Sequence, residues 1–423
     1  MEYTYQPLPG PQSIRLLSFG PGTSSSDLIC VQLKIVDLDS ECLPGYWGLS
    51  YTWGNPLPSH PSPSSPPTQH EILCDGKSFL VGSNLYDFLK RFNGARRCFW
   101  IDAICINQND IPERNAQVSI MVWIYSKAEG TFIWLGESDN TSIRSLDLLV
   151  KFAEAKKRLG EDRDKILRRP WEFNDVGFYA AMGMEPWSQE DWKALLDFYT
   201  RSWFRRQWVI QEVIANNQAV IFCGNQGMPW PYFMDLTQFL IPQRWVGEIM
   251  ALESGFHKAG SPSSIVSTYD LIGLLDRKNQ GPTKPSTDIL LGILSDYQTS
   301  SQRFDAFVLY TVYRMRGREA TNLADHVYAP LSLASKFKRE EDSLPKVDYG
   351  LSVVQIYKDF SYHLMRVPRP MVLAFREDDT ARKLTELPSW VPDYSVPGGG
   401  TPLAMQKAYI ASGKDIMWPD DGG

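Results

Sequence analysis

The sequence predicts an α/β protein: a parallel sheet flanked by helices, followed by a mainly helical C-terminal region. Three features predict it. Residues 98–136 have the pattern of a strand, a helix and a second strand. Strand-like runs and helical periods continue on both sides of that unit, up to residue 223. From Met228 onward, amphipathic stretches at helical spacing take over.

The unit at 98–136 organises the rest. Residues 99–106 form a short apolar run rich in aromatic and branched side chains, which suits a buried strand. The following Asn107, Gln108, Asn109 and Asp110 end it. Asp110 suits an N-cap, with Pro112 in the first turn and Glu113 at capping-box spacing. Val118, Met121, Val122 and Tyr125 then repeat at i, i+3, i+4 and i+7 and give the helix one apolar face. Gly130 is expected to end that helix, and residues 131–135 to form the second strand. Two buried strands joined by a helix imply a parallel pair with a right-handed crossover. Ligands of open α/β sheets lie beyond the carboxyl ends of strands. Asp102, Asn107 and Gln108 are therefore candidate site residues, unless they serve only the local backbone.

Upstream, residues 13–39 hold two β-like runs and predict an antiparallel pair, and residues 45–56 a strand closed by a Gly-Asn-Pro turn. Residues 57–68 are Pro/Ser-rich and predict a solvated loop insertion. Residues 71–81 predict a hairpin turning at Asp75-Gly76, and Ser83 is placed to cap a helix carrying Leu85, Phe88, Leu89 and Phe92. Downstream, helices are expected at 142–159, 190–199 and 201–217, and a strand at 219–223. Residues 160–189 give no assignment. Beyond 228, helical stretches fall at 232–240, 265–276, 288–297, 304–314 and 353–365. The expected organisation is thus 1–227, then 228–396, then a poorly ordered tail at 397–423.

Composition narrows the function classes. The 423 residues carry a net charge of −6, which speaks against a broad nucleic-acid surface. No apolar run approaches the about 20 residues of a membrane span, and residues 1–13 lack a signal-peptide core. Six cysteines without a CxxC pair suit a reduced, cytoplasmic protein, and five scattered histidines form no metal motif. There is no GxGxxG, no P-loop and no Ser/His/Asp motif on a suitable turn.

Chemistry is concentrated at 201–217, RSWFRRQWVIQEVIANN. As one helix capped by Ser202, it places Trp203, Val209, Ile210, Val213 and Ile214 on a core face and Phe204, Trp208, Glu212 and Ala215 opposite. Glu212 then lies against the Trp208 indole, where lost hydration raises a carboxyl pKa. The alternative is an ordinary, partly exposed helix glutamate paired with Arg205 or with an arginine elsewhere.

Three blocks carry a family resemblance: YWGLSYTWG, residues 99–136, and RSWFRRQWVIQEV. In order and spacing they resemble the fungal heterokaryon-incompatibility (HET) domain. ATNLADHVYAPLSLA and LPSWVPDYS further on look like HET-protein sequence too, with Tyr394 where the family often has Trp. The HET domain is in turn distantly similar to the TIR domain, a flavodoxin-like α/β signalling module, some members of which cleave NAD+ with a glutamate in a WxxxE pattern like Trp208 to Glu212. That resemblance implies a self/non-self cell-death effector in which Glu212 is catalytic on NAD+ as substrate, without a bound cofactor. Trp208, Tyr51, Thr52, Trp53 and Asp102 would line the substrate cleft, and Asn107, Gln108, Asp110 and Pro112 an assembly loop. It equally admits a non-catalytic module acting through self-association or partner binding.

Overall fold

The computed structural model describes residues 1–20, 28–57, 68–216, 218–240, 243, 245–251, 304, 305, 308, 309, 311, 312, 315–340, 342–365 and 381–396. The chain divides into two compact units: 1–279 together with 318–320, and 280–317 together with 321–423. Helices expected at 265–276 and 288–297, much of 304–314, nearly all of the 57–68 insertion and the 397–423 tail lie outside the described residues.

The first unit is built on a nine-stranded sheet flanked by helices, as the sequence predicts. Its strands are β1 (Ser13–Phe19), β2 (Cys30–Asp37), β3 (Tyr46–Tyr51), β4 (Gln69–Cys74), β5 (Lys77–Gly82), β6 (Cys98–Trp100), β7 (Gly130–Trp134), β8 (Ala219–Cys223) and β9 (Gln226–Pro229), in the spatial order β5-β4-β2-β1-β6-β3-β7-β8-β9. The four strands β6-β3-β7-β8 are mutually parallel. The flanks are antiparallel except for β2–β4, so the sheet is mixed rather than wholly parallel. The β1–β2 pair and the β4–β5 hairpin stand where expected. Asp75 and Gly76 both take positive φ at the hairpin turn, the conformation that suits Asp-Gly there.

Several local expectations need correction. β6 and β7 are parallel but not neighbours, because β3 runs between them and pairs with both. β6 is short: after Trp100 the chain turns into α2 (Asp102–Cys105) instead of extending to Ile106, and Asp102 starts that turn. Gly130 opens β7 rather than ending the preceding helix α3 (Ile111–Lys127), which stops at Ala128. Asp110 caps α3 by accepting from the Glu113 N–H, but the Glu113 carboxylate turns away and receives a bidentate pair from Arg15, plus the Asn107 N–H. Helix α1 (Ser83–Arg91) is capped at Gly82, while the Ser83 hydroxyl donates to the Thr68 carbonyl.

Side chains alternate across the central strands and separate two faces. On one, Phe132 and Phe222 stack on each other and meet Phe92 from the end of α1, with Phe88 edge-on to Phe99 and Phe132. On the other, Gly48 of β3 lies under Tyr125 of α3, where a Cβ would come within 2.6 Å of the ring. The Tyr125 hydroxyl donates to the Leu49 carbonyl at 2.8 Å and locks α3 to β3. Further along come α4 (Asn140–Arg158), α5 (Arg163–Arg168), α6 (Val176–Met182) and α7 (Gln189–Tyr199). α5 and α6 fill part of the stretch 160–189, which has no assignment from sequence. α9 (Trp230–Leu240) and α10 (Trp245–Ala251) follow β9 in the same unit.

Residues 201–217 are not one helix. A 3₁₀ turn at Ser202–Arg205 and the short α8 (Val209–Ile214) are separated by a bend. The bend changes the helical wheel. Phe204, Glu212 and Ala215 are as buried as Val209 and Ile210, because the segment lies between layers instead of presenting an outer face.

In the second unit the described elements are helical, as expected: α11 (Asp325–Ser335) and α12 (Val353–Leu364). The Tyr357 hydroxyl donates to the Leu323 carbonyl, and Tyr394 and Ser361 share a buried hydroxyl pair at 2.9 Å. Asp393 collects the N–H groups of Lys383, Leu384 and Ser395. Among the described residues no helix is long and apolar enough to cross a membrane.

Candidate functional site

The site begins with the pleat of β3. Gly48 and Ser50 share a face, and across the parallel pairing Gly48 stands beside Thr131 and Ser50 beside Ile133. α8 packs over this face next to α3. Thr131 donates its hydroxyl to the Glu212 carbonyl at 2.9 Å, which fixes the height of α8 above the sheet. The Glu212 side chain, from a residue only 1% exposed, then meets Ser50, whose hydroxyl donates to the carboxylate. Trp203 donates its indole N–H to the same hydroxyl at 2.7 Å. Arg206 comes within 3.9 Å of the carboxylate and donates to the Tyr51 carbonyl at the end of β3.

Beyond β3 the chain passes through Thr52 and Trp53. Trp53 is 49% exposed and donates its indole N–H to Asp102 Oδ2 at 3.0 Å. Asp102 Oδ1 accepts the Ala103 N–H, and the Asp102 carbonyl accepts from Gln108 Nε2 at 2.9 Å. The ends of β3 and β6 therefore bring Tyr51, Trp53 and Asp102 beside the Glu212 segment, the position at which open α/β sheets place ligands.

Electrostatics set Glu212 apart. Burial raises its carboxyl to a pKa of about 7, and the negative charge of Asp102 adds to the rise. Arg206 and the Ser50 hydrogen bond oppose it. Asp102 is also raised by burial, against the pull of Arg206, Trp53 and the Ala103 N–H. The buried Tyr51 phenol is held neutral, with both carboxyls contributing to its shift.

Of the residues expected from the sequence, Glu212, Tyr51, Trp53 and Asp102 thus gather through hydrogen bonds and charge. Thr52 is buried, its carbonyl held by Asn84 at 2.7 Å and its hydroxyl without a partner among the described residues. Trp208 is half-buried ahead of α8, packed on the sheet core. The indole joined to the carboxylate, through Ser50, is that of Trp203. Arg205 pairs with Glu319 at 2.9 Å, and the arginine beside Glu212 is Arg206. Asn107, Gln108 and Asp110 lie in the turn between α2 and α3 and Pro112 in the first turn of α3, with Asp110 and Pro112 exposed and Gln108 tied to Asp102.

Sequence reasoning did not place Ser50, Trp203 or Arg206 against Glu212. It also missed Gln207 and Gln211, whose side-chain amides are buried with no partner on either polar atom among the described residues. Such orphaned groups mark a place where water or a ligand is wanted. A separate cavity of about 600 Å³ lies along α4, lined by Arg144, Lys151, Arg158, Met184 and Trp187 and by none of the expected site residues.

The class is thus an α/β protein whose parallel central strands end beside a buried, near-neutral glutamic acid. Residues 46–212 match the family model described as heterokaryon incompatibility protein (HET), and the chain carries a HET domain over that segment. A curated relative, "Heterokaryon incompatibility protein 6, OR allele" of Neurospora crassa, is 28% identical over 248 residues, which make up 54% of this chain and 35% of that protein. The chain spans about a third of that relative's length. No solved structure matches it.

Proposed function

We propose that this chain is a fungal heterokaryon-incompatibility effector of self/non-self recognition, acting in the cytoplasm by cleaving the nicotinamide–ribose bond of NAD+. The HET match and the name of the Neurospora relative support the biological role. The observation that carries the chemistry is the Glu212 carboxyl, buried at the strand ends with a pKa near the working pH.

The cleavage needs little else. The C1′–N bond breaks, and its electron pair returns to the pyridinium nitrogen, so nicotinamide leaves neutral without a proton donor. Positive charge builds on the ribose, as in glycoside hydrolysis, and the ionised Glu212 stabilises it. Water then attacks C1′ and releases a proton, giving ADP-ribose. Trp53 supplies an exposed ring face for a base, and Tyr51, Thr52 and Asp102 polar groups around the ribose. The cationic substrate itself favours the ionised carboxylate.

A second reading, a non-catalytic module that self-associates or binds a protein partner, is favoured by the exposure of Ile111 beside Asn107, Gln108, Asp110 and Pro112, and of Trp123 further along α3. One experiment separates the two. Purified chain incubated with NAD+ is expected to release nicotinamide, and Glu212→Gln to lose that activity with circular dichroism unchanged. No turnover by concentrated wild type, with cell killing retained by both proteins, would leave only the docking module.

A further inference from the structure

We infer that the Arg318 side chain and the Glu319 backbone, which lie beyond the matched HET segment, hold Arg206 against Glu212, with Arg318 as the positioning residue. This pair of residues belongs to the three-residue stretch 318–320 that clusters with the first unit, while the stretches 280–317 and 321–423 form the second.

The geometry starts from a mismatch. In a continuous helix, residues six apart point to different sides, so Arg206 and Glu212 would not meet. They meet here because the helix breaks between Arg205 and Val209. A break strands carbonyl groups: those of residues 204, 205 and 206 would otherwise accept from the N–H groups four residues on. The 318–319 dipeptide takes all three. Arg318 Nη1 donates to the carbonyls of Phe204 at 3.2 Å and Arg206 at 3.1 Å. The Glu319 N–H donates to the Arg205 carbonyl at 2.6 Å, and the Gln207 N–H donates to the Glu319 carbonyl at 2.9 Å. Glu319 thus pairs with the backbone on either side of Arg206 as a strand would. Arg318 is 4% exposed. Burial lowers its guanidinium to a pKa of about 9, so it stays charged at neutral pH. With the bend held, the Arg206 side chain reaches both the Tyr51 carbonyl and the Glu212 carboxylate. The titratable and charged groups acting with Glu212 are Arg206 from the bend, Asp102 after β6, Tyr51 from β3 and Tyr125 from α3.

The effect on turnover rests on the NAD+ reading above, but the effect on Glu212 does not, and the test reads them separately. The probe is the pH midpoint of Glu212 ionisation in the full chain, taken from the stability difference between each variant and the same variant carrying Glu212→Gln. Arg318→Ala frees Arg206 and is expected to raise the midpoint by roughly one unit, the lower end of what a neighbouring cation contributes. Nicotinamide release at neutral pH would then fall about fivefold and recover at higher pH, a signature that mere loss of structure does not produce. Arg318→Lys keeps the charge but not the fork, so a smaller rise is expected, and it decides the matter where Arg318→Ala does not fold. Glu319→Ala removes only the exposed pair with Arg205 and should leave the midpoint in place. Folded Arg318 variants with a wild-type midpoint, or Glu319→Ala shifting it as far as Arg318→Ala, would overturn the inference.

Discussion

Glu212 is a carboxyl that the fold keeps under tension. Its folded pKa of about 7 stands above the ordinary value of 4.5, and burial is the first cause. A group raised in this way contributes its full stability below the unfolded pKa. That contribution is lost as pH rises through the window from 4.5 to about 7, because the unfolded chain ionises freely and the folded one does not. The difference is on the order of 3 kcal/mol. Glu212→Gln cannot ionise and escapes the penalty. Denaturant unfolding is therefore expected to find the variant close to wild type near pH 4.5 and more stable than wild type above pH 7. Equal stability across that range would mean that the carboxylate is solvated. The raised Glu212 carboxyl was legible in the sequence, but its neighbour was not: the indole joined to it is that of Trp203 instead of Trp208. Ser50, Trp203 and Arg206 were not legible there, because their meeting depends on a bend whose partner lies 112 residues away from Arg206.

At the scale of elements, α3 shows how much a cap motif reveals. Asp110, Pro112 and Glu113 mark its start in the sequence, and the Asp110 cap is where the spacing puts it. The spacing does not show that Glu113 answers a buried arginine from β1 instead of closing a capping box. Arg15 is 1% exposed and also donates to the carbonyls of Cys105 and Gln6, so Glu113 joins β1 to the turn that carries Gln108 and Asp102. Two substitutions separate the roles. Asp110→Ala removes a cap and is expected to cost about 1 kcal/mol. Glu113→Ala strands a buried guanidinium and is expected to cost roughly 3–5 kcal/mol. Thermal unfolding ranks them, and a Glu113→Ala loss no larger than that of Asp110→Ala would show that Arg15 finds other partners.

For the whole molecule, the α/β class, the positions of most strands and the helical character of the described C-terminal region follow from periodicity in the sequence. The order of strands in the sheet does not. Nothing in residues 98–136 shows that β3, earlier in the chain, runs between β6 and β7. Yet that insertion brings Ser50 and Tyr51 to the Glu212 segment, so the part of the topology hidden from local patterns is the part that builds the site. The account depends on one property of the folded chain: a near-neutral carboxyl at residue 212. Carbon-13 resonances of glutamate carboxyls, recorded on the intact protein across pH and compared with Glu212→Gln, measure it directly. The account predicts one resonance, missing from the variant, that titrates near pH 7. If the resonance lost in the variant titrates near 4.5 instead, the buried-acid account is contradicted.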